Sequence, residues 1–213
     1  MCSEKEKMMR GELYDANYNP QLIEERNACK AMCQQFNLLP YEATAEREKL
    51  LRSIIGKTPQ RFCVEQSFWC DYGYNITLGE NFYSNHNLVI LDGAPVTFGE
   101  NVFIAPNCCF STAGHPVEVD LRNKGLEYAR PIKVGNNVWI GAGVTVLPGV
   151  TIGDNVTIKT EHTTRVVCNA DGDQWAIEKV TKKTILNAVV IGTDVVIVKT
   201  EKGLTRVEYI WID

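Results

Sequence analysis

Histidine is scarce in this chain: His86, His115 and His162 are the whole supply among 213 residues. Their spacing does not match a site that needs three imidazoles on one metal. Nor do the eight cysteines offer a zinc framework. Cys29 and Cys33 are one helical turn apart, Cys108 and Cys109 are adjacent, and Cys2, Cys63, Cys70 and Cys168 are scattered, so the paired short spacings of such sites are missing. No metal is therefore expected. Long apolar runs are also absent. Nothing approaches the roughly 20 apolar residues that span a bilayer. The opening Met1-Cys2-Ser3-Glu4-Lys5-Glu6-Lys7 has no apolar core of the kind that directs secretion. The expectation is a cytoplasmic protein with reduced thiols. A net charge of −4 argues against a surface built to coat nucleic acid.

What is present is a beat of six. Aliphatic residues recur at Val134, Ile140, Val146, Ile152 and Ile158. Gly135, Gly141 and Gly153 follow directly, and Asn137 and Asn155 stand three past their anchors. The phrase occurs earlier as Leu78-Gly79-Glu80-Asn81, as Phe98-Gly99-Glu100-Asn101 and as Ile104-Ala105-Pro106-Asn107. Six is neither a helical period nor the alternation of a strand. It predicts a β-solenoid in which each short strand adds one inward apolar side chain and one small turn residue. Glycine and asparagine at the corners are read as residues that tolerate positive φ. The competing reading is a β-sandwich with coincidental spacing.

Residues 1–58 read as a helical cap. One helix begins after Asn19-Pro20 and continues through Phe36, and a second spans Thr44 to Ile55 and ends at Gly56, with Pro40 between them. Such a cap shields the open end of a solenoid. Rungs run from about Phe62 to Ser111, with a shift of two residues at Asp92-Gly93-Ala94-Pro95. A polar excursion at 111–131 contains Gly114-His115-Pro116, and rungs then resume from Ile132 to Ile158. Long loops on rigid scaffolds often carry function.

These phrases resemble a known family. Gly11-Glu12-Leu13-Tyr14-Asp15, Asp71-Tyr72-Gly73-Tyr74-Asn75-Ile76 and Asn81 through Asn87 resemble the maltose and galactoside O-acetyltransferases of the hexapeptide-repeat acyltransferase group. So do Thr112-Ala113-Gly114-His115-Pro116, Gly125-Leu126-Glu127-Tyr128 and Ile132 through Asn155. The resemblance implies a mainly β fold, a left-handed parallel β-helix at 59–158, assembled as a homotrimer with sites between subunits. It implies acetyl transfer from acetyl-coenzyme A to a small-molecule sugar acceptor. His115 would be the general base and Asn85 the oxyanion donor. Asp15, Asp71 and Asp92, with Asn85, would meet the acceptor, and Trp139, Gly141 and Ala142 the coenzyme. Glu127, in the same loop, is read as an orienting partner for His115 through the imidazole's other nitrogen. Gly93 departs from an acidic pair, which leaves acceptor identity open.

After Asn155 the resemblance weakens. Thr181 and Lys182 match the phrase that would hold the coenzyme's adenosine end, and Asn187 to Gly192 resembles a closing strand. Two readings of 159–213 stay open: an insertion of some twenty residues into the last coil followed by closing strands, or a different C-terminal segment. Two alternatives to a sugar acetyltransferase follow. One is transfer to another hydroxyl acceptor. The other is a non-catalytic trimer that has lost coenzyme binding.

Overall fold

The computed structural model describes residues 2–158 throughout, with the backbone of 165–168, 175–178, 189–190, 196–197, 199–201 and 204–206. Helix α1 (Glu4–Met9), strand β1 (Tyr14–Asp15), helix α2 (Pro20–Leu38) and helix α3 (Thr44–Ile54) come first. Asn19 caps α2 by accepting from the Leu22 N–H at 3.1 Å, and Pro20 takes the first helical position, where no N–H is needed. The helix stops at Leu39-Pro40, because proline disfavours a helical residue before it. Leu22, Cys29, Cys33 and Phe36 form its buried stripe. In α3, Arg47 pairs with Glu65 of the first coil at 3.1 Å, a contact with little solvent access that ties the cap to the solenoid.

The first coil is β2 (Phe62–Val64), β3 (Phe68–Cys70) and β4 (Ile76–Thr77), and the second is β5 (Phe82–Ser84), β6 (Leu88–Leu91) and β7 (Val96–Phe98). The third starts with β8 (Val102–Ile104) and β9 (Cys109–Ser111). It leaves the solenoid through β10 (Ala113–Gly114), helix α4 (Val119–Asn123) and β11 (Leu126–Ala129), then returns on β12 (Ile132–Val134). The fourth is β13 (Val138–Ile140), β14 (Thr145–Val146) and β15 (Thr151–Ile152), and β16 (Thr157–Ile158) begins a fifth. Strands stack in parallel into three sheets, β2-β5-β8-β13-β16, β3-β6-β9-β14 and β4-β7-β12-β15, so the chain visits each face once per coil. The five anchors are all buried. Phe82, Phe98 and Phe110 fill the interior with ring centroids 5.0 Å apart at each step, the first pair tilted at 59° and the second edge on at 82°.

Asparagines, not the glycines after the anchors, carry the positive φ. Asn81, Asn101, Asn137 and Asn155 lie at φ 55 to 60°, and their amides bond in a ladder from coil to coil at 2.9 to 3.1 Å. Gly79, Gly99 and Gly135 are small for another reason. A Cβ on Gly99 would stand 2.7 Å from the carbonyl carbon of Gly135 on the next coil, so stacking distance excludes it.

The repeat yields at one corner. Phe62 to Phe68 and Ile76 to Phe82 are six apart, whereas Phe68 to Ile76 and Leu88 to Val96 are eight. Both long steps fall between the second and third faces, at 71–75 and 92–95, and the excursion at 111–131 leaves from that same corner. That excursion is not an isolated loop. Strand β11 pairs antiparallel with β10 and with β1, so the N-terminal segment and the loop form one small sheet. A second apolar cluster of Met8, Tyr14, Ala16, Leu22, Tyr72, Ala94 and Ala129 lies beneath it. Buried Thr112 holds the stem, donating to the Leu91 carbonyl and accepting from the Ala94 N–H.

Beyond residue 158, Arg165–Cys168 pairs in parallel with β14. Val189–Val190, within the expected closing strand, pairs antiparallel with β15 and so is not a further parallel rung. Among the described residues, no helix is long and apolar enough to cross a membrane.

Candidate active site

The corner that breaks the repeat holds a cavity of about 250 Å³. Tyr14 and Asn17 line it from the N-terminal segment, Arg26 and Lys30 from α2, Asp71, Tyr72 and Gly93 from the extended corners, and Ala113 and Glu127 from the excursion. Its volume falls just below the usual range for ligand pockets, about 300–1,000 Å³. Its walls mix carboxylates that accept hydrogen bonds with cations and phenols that donate them. Arg26 is fixed by the Tyr72 hydroxyl at 2.9 Å and the Ala16 carbonyl at 2.7 Å. Lys30 lies 3.4 Å from Asp71. None of Tyr14, Asn17, Arg26, Lys30 and Tyr72 was assigned a role from sequence. Arg26 and Lys30, four apart on one helix face, were the available signal.

His115 is half exposed and is not part of the cavity lining, which it approaches through Glu127. Its Nδ1 lies 3.0 Å from the Leu126 carbonyl, which accepts only from a protonated nitrogen. That bond leaves the lone pair on Nε2. Glu127 Oε1 is 3.8 Å from Nε2. The orienting partner is thus a backbone carbonyl, and Glu127 approaches the opposite nitrogen from the one read in the sequence. Its other oxygen, Oε2, accepts from the Tyr14 hydroxyl at 3.2 Å. Burial pushes the Glu127 carboxyl above the usual carboxylate range, opposed by His115 and by the Tyr14 bond. Burial also raises Tyr14, which therefore stays a donor.

The three aspartates have different surroundings. Asp71 faces the cavity. Asp15 accepts from the Asn17 and Tyr18 N–H groups through one oxygen, forming a turn beside β11. Asp92 is fully buried and accepts from the backbone N–H groups of Asp71, Tyr72 and Asn75 at 3.1, 2.8 and 3.3 Å. It braces the wall that presents Asp71 and Tyr72. Burial outweighs these bonds and raises its pKa to about 6. The folded state therefore holds its proton more tightly than an unfolded aspartate at about 3.9. The resulting stabilisation is present below about pH 4 and is lost as the pH rises through about 6. Asp92→Ala strands one buried and two part-buried N–H donors, at about 1–3 kcal/mol for the buried one. Denaturant titration at about pH 4, where the folded state keeps Asp92 protonated, should show a loss of at least about 1 kcal/mol and a shallower decline of stability between about pH 4 and 6. Unchanged stability would contradict the bracing role.

Asn85 lies elsewhere, at the corner between β5 and β6. Its Oδ1 accepts from the His86 N–H at 2.7 Å. The corner between β13 and β14 stacks on the same edge, through Asn85 N–H to the Ile104 carbonyl and Ala105 N–H to the Ile140 carbonyl. There Gly141 is buried and Ala142 exposed, and Trp139 on β13 is 45% exposed on the outer face beside Phe103. One chain thus places Asn85, Gly141 and Ala142 on one edge, with Trp139 on the outer face of the strand leading to it, and His115, Glu127 and Asp71 on the next edge, with a sheet between. Thr181 and Lys182 lie outside the described residues.

A parallel solenoid of six-residue steps, capped by helices and extruding a histidine loop at one corner, defines a protein of the hexapeptide-repeat transferase class. Residues 7–59 match the maltose acetyltransferase hexapeptide capping motif, and residues 131–160 the bacterial transferase hexapeptide of six repeats. The chain is 50% identical over 153 residues to a Saccharomyces cerevisiae protein provisionally named an acetyltransferase, covering 72% of this chain and 78% of that one. It is 42% identical over 137 residues to the galactoside O-acetyltransferase of Escherichia coli, covering 64% and 68%. A maltose O-acetyltransferase structure from Clostridium difficile superposes with a TM-score of 0.72 at 39% identity, covering 85% of this chain and 98% of that one. A galactoside acetyltransferase in complex with coenzyme A superposes at 0.71 and 35% identity, covering 83% and 90%. The chain belongs to the maltose and galactoside O-acetyltransferase family.

Proposed function

We propose that the protein is a cytoplasmic, homotrimeric O-acetyltransferase that moves an acetyl group from acetyl-coenzyme A to a sugar hydroxyl of maltose, glucose or galactoside type. The observation that carries this reading is His115, its Nδ1 held by the Leu126 carbonyl and its Nε2 directed to the side of Glu127, which also lines the polar cavity. A hydroxyl is a weak nucleophile at neutral pH, so a base must take its proton during attack. Nε2 of His115 serves as that base, and the imidazolium that forms is stabilised by Glu127 at 3.8 Å. Asp71, Arg26 and Lys30 orient the acceptor's hydroxyls.

Charge builds on the thioester oxygen as attack proceeds, and Asn85 supplies the donor for it. With Oδ1 occupied by His86, the amide N–H₂ is the end left for that oxygen. Trp139, Gly141 and Ala142 line the pantetheine arm along the same edge, and Thr181 and Lys182 hold the adenosine end. Because base and oxyanion donor occupy different edges of one chain, a complete site forms where one chain's Asn85 edge meets its neighbour's His115 edge. The solenoid at 59–158 is read as left-handed, the hand that the family resemblance implies, with 1–58 as its cap and 159–213 as a divergent C-terminal segment.

The test is release of free thiol from acetyl-coenzyme A in the presence of maltose, glucose, a galactoside and non-sugar alcohols. Sugar-dependent release with KM between about 1 μM and 1 mM for the coenzyme supports the reading. Release driven only by a non-sugar hydroxyl, or none from a folded protein, overturns it.

A further inference from the structure

Three thiols meet where the cap joins the solenoid, and the transfer chemistry does not use them. Cys29 and Cys33 stand one turn apart on α2, and Cys70 ends β3. Cys70 Sγ is 3.4 Å from Cys29 Sγ and 3.7 Å from Cys33 Sγ, and all three sulfurs lie within 4.8 Å of one another. Each residue is at most 2% exposed. They belong to the main apolar core, together with Phe36 and Phe68 of the same two elements.

The surroundings select the ligand's chemistry. Clustered thiolates favour soft, thiophilic ions. Zinc in structural sites takes four ligands, and among the described residues only these three sulfurs converge. Charge decides further. Three thiolates leave a net charge of minus one on a divalent ion and minus two on a monovalent one, and an uncompensated charge in an apolar core is costly. The buried Asp92 carboxylate acts on Cys29 and worsens that cost. A trivalent ion with three sulfurs is neutral.

We infer that Cys29, Cys33 and Cys70 form a binding site for trivalent arsenic, held as a neutral three-thiolate complex. Arsenous acid exchanges its three hydroxyls for the three sulfurs. Three S–H and three As–O bonds break, three As–S bonds form, three waters leave, and no oxidation state changes. Entry requires α2 to part from β3, since the sulfurs are buried, and the product then staples the two elements together.

The experiment uses the full-length reduced protein and sodium arsenite at one equivalent, read by native mass spectrometry. The expected adduct is one arsenic with three hydrogens lost, together with a raised thermal midpoint. Cys70→Ser should lose this adduct, and Cys63→Ser, whose thiol is exposed, should keep it. Cys33→Ala is the second variant if Cys70→Ser does not fold, and the wild-type hydrogen count needs no variant at all. No adduct, an adduct with only two hydrogens lost, one that survives in both Cys70→Ser and Cys33→Ala, or displacement by an equal concentration of zinc(II) would overturn the inference. None of these readouts depends on acetyl transfer.

Discussion

His115→Ala lowers acetyl transfer by roughly 100- to 10,000-fold, the usual contribution of a positioned general base. The protein itself should stay folded, with a stability change of about 0.5 kcal/mol or less, as for other exposed positions. The asymmetry follows from the local structure. The imidazole is half exposed, and what it contacts is the Leu126 carbonyl and, at longer range, Glu127. The excursion does not rely on it, because β11 is held by β1 and β10 and the stem by Thr112. Steady-state kinetics with saturating coenzyme, beside a thermal melt, reads both effects. A variant that turns over at the parental rate would remove His115 from the mechanism.

Asn85→Asp should lower kcat by roughly 100- to 1,000-fold, the range seen when an oxyanion donor is lost. The substitution nearly preserves shape. One carboxylate oxygen still accepts from the His86 N–H, so the corner between β5 and β6 keeps its turn. The other presents a lone pair and negative charge where an N–H₂ group stood, and this opposes the charge that develops during attack. Coenzyme affinity, measured by calorimetry, should change far less than kcat, since the donor acts mainly on the developing oxyanion. A large loss of affinity with unchanged kcat would assign Asn85 to binding alone.

The solenoid was legible because each anchor from Val134 to Ile158 is buried at the same point of its step, so burial prints its period directly on the sequence. The asparagines were legible too, since few other residues sit at φ near 60° without strain. The reason for Gly79, Gly99 and Gly135 was not, because coil-to-coil clearance depends on a neighbour many residues away. The same limit hid the polar cavity. The eight-residue steps at 71–75 and 92–95 look unrelated until coils stack, and only then do Arg26 and Lys30 of α2 come to face Asp71. Asp92 shows the other side of this. Its residue type suggests a sugar contact, whereas its position commits it to three backbone N–H groups. The Leu126 carbonyl could not be foreseen either, since a backbone acceptor carries no residue signature.

In the proposed enzyme, one chain's Asn85 edge and its neighbour's His115 edge make a single site. The most direct measurement co-expresses His115→Ala and Asn85→Asp chains under different tags, purifies the mixed oligomer, and compares its acetyl transfer with that of each variant alone. Activity should return in the mixture, because the His115→Ala chain still offers Asn85 and the Asn85→Asp chain still offers His115 across their shared junction. A mixed oligomer as inactive as its parents would show that both residues must come from the same chain, and would contradict the shared site.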